Sequence, residues 1–432
     1  MEVESLKRGT LLRKLADGGL LDRLEPVYGT DASNAAGRLR ELVLEFADTF
    51  PCDDTSETQL FSTPGRAELG GNHTDHQNGH GLAASVDLDT IACVVPNDSR
   101  TIRIKSRHHR MAVVDIDDLS IHPEESDSSV SLVRGVAARL EQLGYTVGGF
   151  DAYTTTRVLR GSGLSSSAAF EVLTATIMNH LFCGGKLDSR ELAKVGQYAE
   201  NVYFGKPCGL LDQLSCATGG VVAVDFRNPE DPTLRRVRVD LASYGYALCV
   251  VDTRASHSDL TADFAAIPQE MREVAACFGR EVLGQVDYQQ FRENLPMVRN
   301  ACGDRAALRA YHFFTDDQRV ALQCDALERG DFDAFLRQIR RSGRSSFMYL
   351  QNVSTYRESR RQPMALLLAL AEDLLEGQGA CRVHGGGFAG TIQAFVPLDR
   401  LKDFVSGMEA VAGQGSCYVL NFRDSGSVLL VS

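Results

Sequence analysis

A turn rich in glycine and serine occupies residues 160–169, Arg-Gly-Ser-Gly-Leu-Ser-Ser-Ser-Ala-Ala, and separates two segments of different periodicity. The preceding residues 149–158 are rich in β-branched and aromatic types, which predicts a strand, and residues 168–182 lack Gly and Pro and repeat apolar residues at helical spacing. Glycines let backbone N–H groups approach an anion, and a helix N-terminus carries about half a positive charge. The turn therefore predicts a phosphate-binding loop, although an ordinary small-residue turn before a buried helix would have a similar sequence.

The turn differs from the two common glycine-rich nucleotide loops. It does not end in Gly-Lys-Ser/Thr as a Walker loop does, and residue 166 is Ser where a dinucleotide-binding Gly-x-Gly-x-x-Gly loop needs Gly. A nucleotide-binding oxidoreductase is therefore disfavoured. Other segments must decide between a phosphate site and a plain turn.

The composition limits the classes of partner. The 432 residues are enough for two domains, and the formal net charge of −12 opposes non-specific attraction to nucleic acid or to an anionic membrane. Eleven cysteines without Cys-x-x-Cys pairs indicate a reducing compartment, and no run approaches the ~18 apolar residues of a membrane span. We expect a cytoplasmic monomer whose partners are small molecules, with no nucleic acid and no membrane.

The N-terminal part combines predicted helices with a polar loop. Residues 4–24, broken by Gly18-Gly19, and residues 35–50 predict amphipathic helices, and a short strand at 59–63 precedes a glycine-rich polar segment at 66–81. That segment offers the amide, hydroxyl, imidazole, guanidinium and carboxyl groups that hydrogen-bond a polyhydroxylated ligand. A solvated loop remains an alternative. A metal site on the three histidines of this segment is a second alternative. The nearby glycines disfavour the helix on whose face such ligands would have to lie.

Asp212 and a second glycine loop follow later in the chain. Asp212 lies among Leu210, Leu211 and Leu214, and a carboxylate in such surroundings is either a paired structural acid or a site residue. Residues 227–234 contain two prolines and predict the domain boundary, which divides the chain into 1–232, with an extra helical N-terminus at about 1–28, and 233–432. The loop Gly-Gly-Gly-Phe-Ala-Gly at 385–390 is weak evidence alone.

The three glycine-rich loops together resemble the GHMP kinase superfamily, and the first of them, with Gly65-Arg66 followed by residues 71–75, Gly-Asn-His-Thr-Asp, resembles the galactokinase signature. Residues 163–168 are similar to the ATP phosphate loop of this family, residues 207–213 to its catalytic-acid segment and residues 386–390 to its C-terminal glycine motif. The motif order also agrees. The resemblance implies an α+β fold of two GHMP kinase domains with the active site in the cleft between them.

The same resemblance implies ATP-dependent phosphorylation of the anomeric hydroxyl of galactose or a closely related sugar. By this resemblance Asp212 and Arg66 are catalytic, and Ser167 and Glu200 ligate Mg²⁺. The residues implied in ATP binding are Gly161, Ser162, Gly163, Leu164, Ser165, Ser166, Ser167 and Ala168. Those implied in sugar binding are Asn72, His73, Asp75, Gly209, Asp212 and Phe264. The reaction itself also requires these residue types, apart from the resemblance, because phosphoryl transfer depends on positioning and on neutralising phosphoryl charge.

Two residues depart from the family pattern. Asn72 stands where the family usually has Glu, and Phe264 stands where a sugar-binding Tyr is usual. A neutral amide can donate hydrogen bonds to a carboxylate that Glu would repel, so galacturonate or another C6-modified hexose is an alternative substrate. A catalytically inactive sugar sensor is a second alternative, but the presence of all the catalytic residue types argues against it.

Overall fold

The computed structural model describes residues 6–158, 163–255, 260–355 and 360–432. Gly161 and Ser162, two of the predicted ATP-binding residues, lie outside the described residues.

Two sheets are formed within the described ranges. The strands are β1 Leu6–Lys7, β2 Glu57–Gly70, β3 His80–Pro96, β4 Thr101–Ser106, β5 Ala112–Asp115, β6 Phe150–Thr156, β7 Val221–Asp225, β8 Thr233–Val237, β9 Tyr246–Asp252, β10 Ala380–His384, β11 Thr391–Pro397, β12 Cys417–Leu420 and β13 Val428–Val431. The first sheet has the order β1-β2-β3-β6-β4-β5, with β13 paired to β2 and the β7–β8 hairpin paired to β3. The second has the order β10-β11-β9-β12. All pairs are antiparallel except β4 with β6.

The helices cover these sheets. They are α1 Arg8–Asp17, α2 Leu21–Tyr28, α3 Ala32–Thr49, α4 Ser129–Gln142, α5 Ser166–Phe182, α6 Ser189–Tyr198, α7 Leu211–Thr218, α8 Thr261–Ala276, α9 Tyr288–Glu293, α10 Leu295–Glu328, α11 Phe332–Ser345, α12 Pro363–Leu375 and α13 Leu401–Ala412. Two π-helical turns, Ala199–Phe204 and Ser346–Leu350, extend α6 and α11. No helix in the described part of the chain is both long and apolar enough to cross a membrane.

The first sheet is buried on both faces because its side chains alternate. On β3, Ile91 and Cys93 pack with the N-terminal helices α1 to α3, whereas Ala92 and Val94 face the core that also contains α4 and α5. Successive residues of a strand point to opposite faces, so each face needs its own apolar cover. The predicted N-terminal helices are therefore a packing layer, and the site is built on the other side of the sheet.

The second sheet is also covered on both faces. Cys249 and Val251 of β9 pack with α12 and α13, while Leu248 and Val250 join the same core as the first sheet. One continuous core thus links the two sheets, and α8, α9 and α10 form a further cluster beside it. The α+β fold expected from the sequence is confirmed.

The strand pairing bears on two expectations about chain organisation. The strand expected at 59–63 continues as β2 through Pro64-Gly65 to Gly70, with shifts in its pairing to β3 that accommodate these residues. The boundary expected at residue 232 does not separate the sheets, because β8 pairs with β7 and β13 returns to β2 in the first sheet. Pairing with distant strands, not local composition, determines where these strands lie.

Candidate active site

An ion pair between Arg66 and Asp212 lies at the centre of the site. Arg66 is on β2 and Asp212 is in the first turn of α7, and the Arg66 Nε donates to Asp212 Oδ1 at 2.6 Å. The second carboxylate oxygen accepts a hydrogen bond of 2.5 Å from the Ser165 hydroxyl. Arg66 Nη1 also donates to the Gly163 carbonyl. The fold therefore brings the predicted catalytic pair into direct contact with the predicted phosphate loop.

Asp212 is held in its ionised form. Burial would raise its pKa, but the Arg66 guanidinium and the hydrogen bond from Ser165 outweigh burial and lower the pKa below the ordinary value of an aspartate. The Asp212 side chain remains 33% exposed, so a ligand can approach it. The arrangement offers an ionised carboxylate beside a cation.

The phosphate loop leads directly into α5. Ser165 is the N-cap residue of α5 with φ of 60°, and its hydroxyl bonds Asp212 instead of a backbone N–H of the helix. Ser165 therefore occupies the N-cap position without capping the helix through its side chain. The first N–H groups of a helix have no partner within the helix, so those of Ser166, Ser167 and Ala168 suit an anion.

Gly163 is required for close packing of this loop. Its φ is 69°, and a β-carbon there would lie 2.7 Å from Thr391 Oγ1 and 2.9 Å from His384 Nδ1. Leu164 is fully buried, and its carbonyl accepts the Arg66 backbone N–H at 3.0 Å. The loop and the β2 backbone are thus fixed to each other.

The two predicted magnesium ligands also lie together. Ser167 Oγ is 3.3 Å from Glu200 Oε1, which is itself 3.3 Å from the Lys206 ammonium. The other Glu200 oxygen accepts from Gln213 at 2.9 Å, and Gln213 also donates to the buried Glu171. Burial and the neighbouring Glu200 raise the pKa of Glu171 well above its ordinary value. A hydroxyl and a carboxylate are hard oxygen donors of the kind that Mg²⁺ accepts.

The described residues contain no group of three or more His, Cys, Asp or Glu side chains arranged to hold a metal ion. That statement covers His73, His76 and His80, whose sequence spacing left a metal site open as an alternative. A magnesium ion at Ser167 and Glu200 would complete its shell with water and substrate phosphate oxygens, as this ion commonly does.

The predicted sugar residues approach the site from two sides. A β-carbon on Gly209 would lie 1.9 Å from Asp75 Oδ2, so only glycine allows this contact between the loop and the segment before α7. His73 Nε2 lies 3.0 Å from the Gly386 carbonyl, and burial together with His76 lowers its pKa to about 4. His73 is therefore neutral at physiological pH.

Phe264 closes the site beside the second glycine loop. Its ring meets that of Phe388 edge-on at 5.4 Å, and a β-carbon on Gly386 would lie 2.7 Å from the Phe264 ring. The glycine loop thus packs against both Phe264 and His73. This explains why the second glycine loop, weak as a motif, lies at the site.

Asn72, which we predicted to contact the sugar, has a side chain whose hydrogen-bond partners are protein groups. Its side chain is fully buried, and Nδ2 donates to Glu68 Oε1 at 3.0 Å and to the Gly385 carbonyl at 2.7 Å. Oδ1 accepts from Asn352 at 2.9 Å and from Ser346 at 3.3 Å. These partners already satisfy the amide, so the argument for C6-modified sugars, which rested on Asn72, loses its basis.

Three further residues at the site were missed from the sequence. Glu68 Oε1 also accepts a hydrogen bond of 2.5 Å from the buried Arg382, and His384 Nε2 lies 3.1 Å from the Glu68 backbone N–H. Burial raises the pKa of Glu68 to about 7, although Arg382 and Arg66 oppose the rise. The sequence did contain one signal for Arg382, which is a cation within an apolar strand. Such a cation needs a buried partner.

Comparisons with known proteins show which families this chain is similar to. The family model "Galactokinase galactose-binding signature" matches residues 44–96, and the model "GHMP kinases N terminal domain" matches residues 131–220. A galactokinase of Streptomyces coelicolor is 30% identical over 362 residues, which are 82% of this chain and 89% of the relative.

Solved structures of two kinds are similar in fold. Lactococcus lactis galactokinase, solved with galactose, has a TM-score of 0.78 at 24% identity, and the match covers 90% of this chain and 99% of that one. Methanococcus jannaschii mevalonate kinase has a TM-score of 0.60 at 13% identity, and the match covers 84% of this chain and 98% of that one.

Proposed function

This chain belongs to the galactokinase family and phosphorylates galactose with ATP, and we propose that Asp212 and Arg66 carry the transfer to the anomeric hydroxyl. The observation that carries this assignment is the contact of Arg66 and Ser165 with the two oxygens of Asp212. It unites an ionised carboxylate, a cation and the start of the phosphate loop in one place. Phosphoryl transfer needs this combination of positioning and charge neutralisation.

Asp212 orients the attacking hydroxyl. Its lowered pKa keeps it ionised, so it accepts a hydrogen bond from the anomeric hydroxyl. It receives the hydroxyl proton as the sugar oxygen bonds to the γ-phosphorus of ATP and the bond from that phosphorus to the β,γ-bridging oxygen breaks, which releases ADP. The guanidinium of Arg66 lies beside Asp212, the carboxylate that orients the attacking hydroxyl. Arg66 is therefore close enough to the transferred phosphoryl group to stabilise its negative charge. The hydroxyl of Ser165 holds the second oxygen of Asp212 in place.

The phosphates of ATP bind at residues 163–168. The left-handed Gly163 and the start of α5 support this placement, because they direct backbone N–H groups toward an anion. Ser167 and Glu200 hold Mg²⁺, which would neutralise phosphate charge when bound. Lys206 beside Glu200 adds a further positive charge to the phosphate side of the site.

The sugar binds between the polar loop and the second glycine loop. Asp75 accepts hydrogen bonds from sugar hydroxyls, and the Gly209 backbone lies beside it. The neutral imidazole of His73 and the ring of Phe264 supply a polar and an apolar contact, respectively. Asn72 acts behind this layer by holding the loop and is not assigned to the sugar.

The enzyme is also assigned to the cytoplasm as a monomer. All eleven cysteines lie in the described residues and are free thiols, which supports a reducing compartment. Size-exclusion chromatography with light scattering measures the oligomeric state, and a mass near 94 kDa, about twice 47.1 kDa, would replace the monomer by a dimer.

ADP release across a panel of sugars tests the function. Galactose is expected to give turnover that depends on Mg²⁺, with product phosphorylated at C1, whereas glucose and galacturonate give at least about tenfold lower kcat/KM. A panel without turnover, with sugar and ATP still bound, would identify an inactive sensor. Higher kcat/KM for galacturonate than for galactose would overturn the substrate assignment.

A further inference from the structure

A cleft of about 440 Å³ lies between α10 and α11, outside the residues assigned to sugar and ATP. One wall is formed by Gln338, Arg341 and Arg344, which follow each other at intervals of three along α11 and therefore share one helix face. Arg319 and Leu322 of α10 form the opposite wall.

The charge of the cleft is unusual for this chain. Three of its lining residues are arginines and none is Asp or Glu, although the chain as a whole has a net charge of −12. Arg319 is paired with Asp316 at 3.0 Å. Arg341 and Arg344 are exposed and, across the described residues, have no acidic partner within ion-pair distance. The cleft thus presents two unpaired guanidinium groups, which match the charge of a phosphate dianion.

Two other features limit the type of anion. The side-chain oxygen of Gln338 is buried and has no hydrogen-bond partner in the described part of the chain. A buried amide oxygen without a donor is costly, and rotation of the Gln338 amide, which lines the cleft, would let a ligand hydroxyl satisfy it. Leu322, Met348 and Tyr349 add apolar surface at the same cleft. A bare inorganic ion would use neither the amide nor the apolar surface.

We propose that this cleft is a second binding site, distinct from the catalytic one, for a small hydroxylated phosphate monoester of the size of a hexose phosphate. Arg341 and Arg344 bind the phosphate group, and Gln338 accepts a hydrogen bond from a hydroxyl of the ligand. The apolar side chains cover the carbon skeleton.

The cleft is connected to the sugar loop through one residue. Asp316, which pairs with Arg319 at the cleft, accepts the backbone N–H of Asn72 with its other oxygen at 3.0 Å. An anion that draws Arg319 away from Asp316 changes the support of the Asn72 backbone. Occupation of the cleft is therefore expected to change galactose affinity, a consequence that rests on the proposed function.

Calorimetric titration with glucose 6-phosphate tests the site without requiring turnover. The full-length protein is first saturated with galactose and a non-hydrolysable ATP analogue, so that the catalytic site is filled. We expect binding that is at least about tenfold weaker in Arg341→Ala and in Arg344→Ala, because each removes a charge-assisted hydrogen bond. Arg337→Ala on the same helix is the matched control, because Arg337 does not line the cleft and lies 3.9 Å from Asp331.

Each outcome decides the proposal. Loss of binding in the two cleft variants with unchanged binding in Arg337→Ala supports it, provided that the unfolding temperatures agree. Inorganic phosphate that binds as tightly as glucose 6-phosphate would overturn the role of Gln338 and the apolar wall. The absence of binding to the wild-type protein, or equal binding to the Arg341→Ala/Arg344→Ala double variant, would overturn the site itself. If the protein showed no kinase activity, these binding results would still test the cleft, because they do not require turnover.

Discussion

Asp212 and Glu68 are two carboxylates that both face arginine, yet their pKa values move in opposite directions. Asp212 bonds Arg66 and Ser165, and its pKa falls, whereas Glu68 bonds Arg382 and its pKa rises to about 7. The Asp212 side chain is 33% exposed and that of Glu68 is 9% exposed. Contact with a cation does not by itself keep a carboxylate ionised, because desolvation of the charged form can exceed the attraction.

This difference in pKa and in exposure indicates a catalytic role for Asp212 and a structural role for Glu68. Asp212 remains charged and accessible, which suits a group that orients a hydroxyl. Glu68 is neutral for part of the physiological range and holds Asn72, so it stabilises the loop behind the sugar site. Separate variants of Asp212 and Glu68 test whether the two carboxylates have these separate roles.

The largest effect is expected from Asp212→Asn. The variant should lose turnover by roughly two or more orders of magnitude, because it removes the charge that orients the hydroxyl and accepts its proton. Nucleotide affinity should stay within about threefold, because the phosphate loop is unchanged. Steady-state ADP release and calorimetry with an ATP analogue measure the two quantities.

A matched control for Asp212→Asn is Glu68→Gln, which removes the other carboxylate that faces arginine. Its kcat at pH 7 is expected to stay within about fivefold of wild type, because Glu68 has no contact with the reacting groups in this assignment. A near-normal kcat in Asp212→Asn, or an equal loss in both variants, would contradict the division between the two carboxylates.

Asn72→Asp should act on stability more than on substrate choice. The new carboxylate would replace an amide donor that now serves Glu68 and the Gly385 carbonyl, which leaves acceptors facing one another and costs about 1–3 kcal/mol. Urea unfolding measures the loss, with Asn78→Asp in the same loop as the control. The ratio of kcat/KM for galactose to that for galacturonate should stay within about threefold of wild type. A selective change in that ratio would return Asn72 to the sugar site.

Ser167→Ala should have the smallest of the catalytic effects. The variant is expected to need about tenfold more Mg²⁺ for half-maximal activity, because one oxygen ligand is lost and water can replace it. Ser166→Ala is the control, since Ser166 lies in the same first turn of α5 and is not assigned as a ligand. Equal Mg²⁺ requirements in wild type and Ser167→Ala would remove Ser167 from the metal site.

Local patterns in the sequence predicted most of the elements but not their pairing. The helix α5 follows from its apolar spacing and from the absence of Gly and Pro within it. The places of β8 and β13 in the first sheet could not be predicted, because hydrogen bonds to strands far along the chain determine them.

The site was predicted by motif where residues meet a substrate and missed where residues support other residues. Asp212 and Arg66 occur in recognisable segments and lie together as expected. The burial of Asn72 arises from Ser346, Asn352 and Gly385, more than 270 positions away in sequence, and no local signal reveals such contacts. Ser165 shows the same limit, since its hydroxyl has two possible partners and only the folded chain selects Asp212.

The most direct test of the two protonation states is the free energy of unfolding of wild type, Glu68→Gln and Asp212→Asn at pH 5 and pH 8. Glu68 has a raised pKa in the folded protein, so it retains its proton where the unfolded chain has lost it, and its contribution falls as pH rises from its ordinary 4.5 through about 7. Asp212 is ionised in both states across this range, because its folded pKa lies below the ordinary value of 3.8. Relative to wild type, Glu68→Gln should therefore gain on the order of 1–3 kcal/mol between pH 5 and pH 8, while the difference for Asp212→Asn stays constant. A difference that is equally flat for both variants would show that Glu68 is ionised like Asp212 and would contradict the distinction between them.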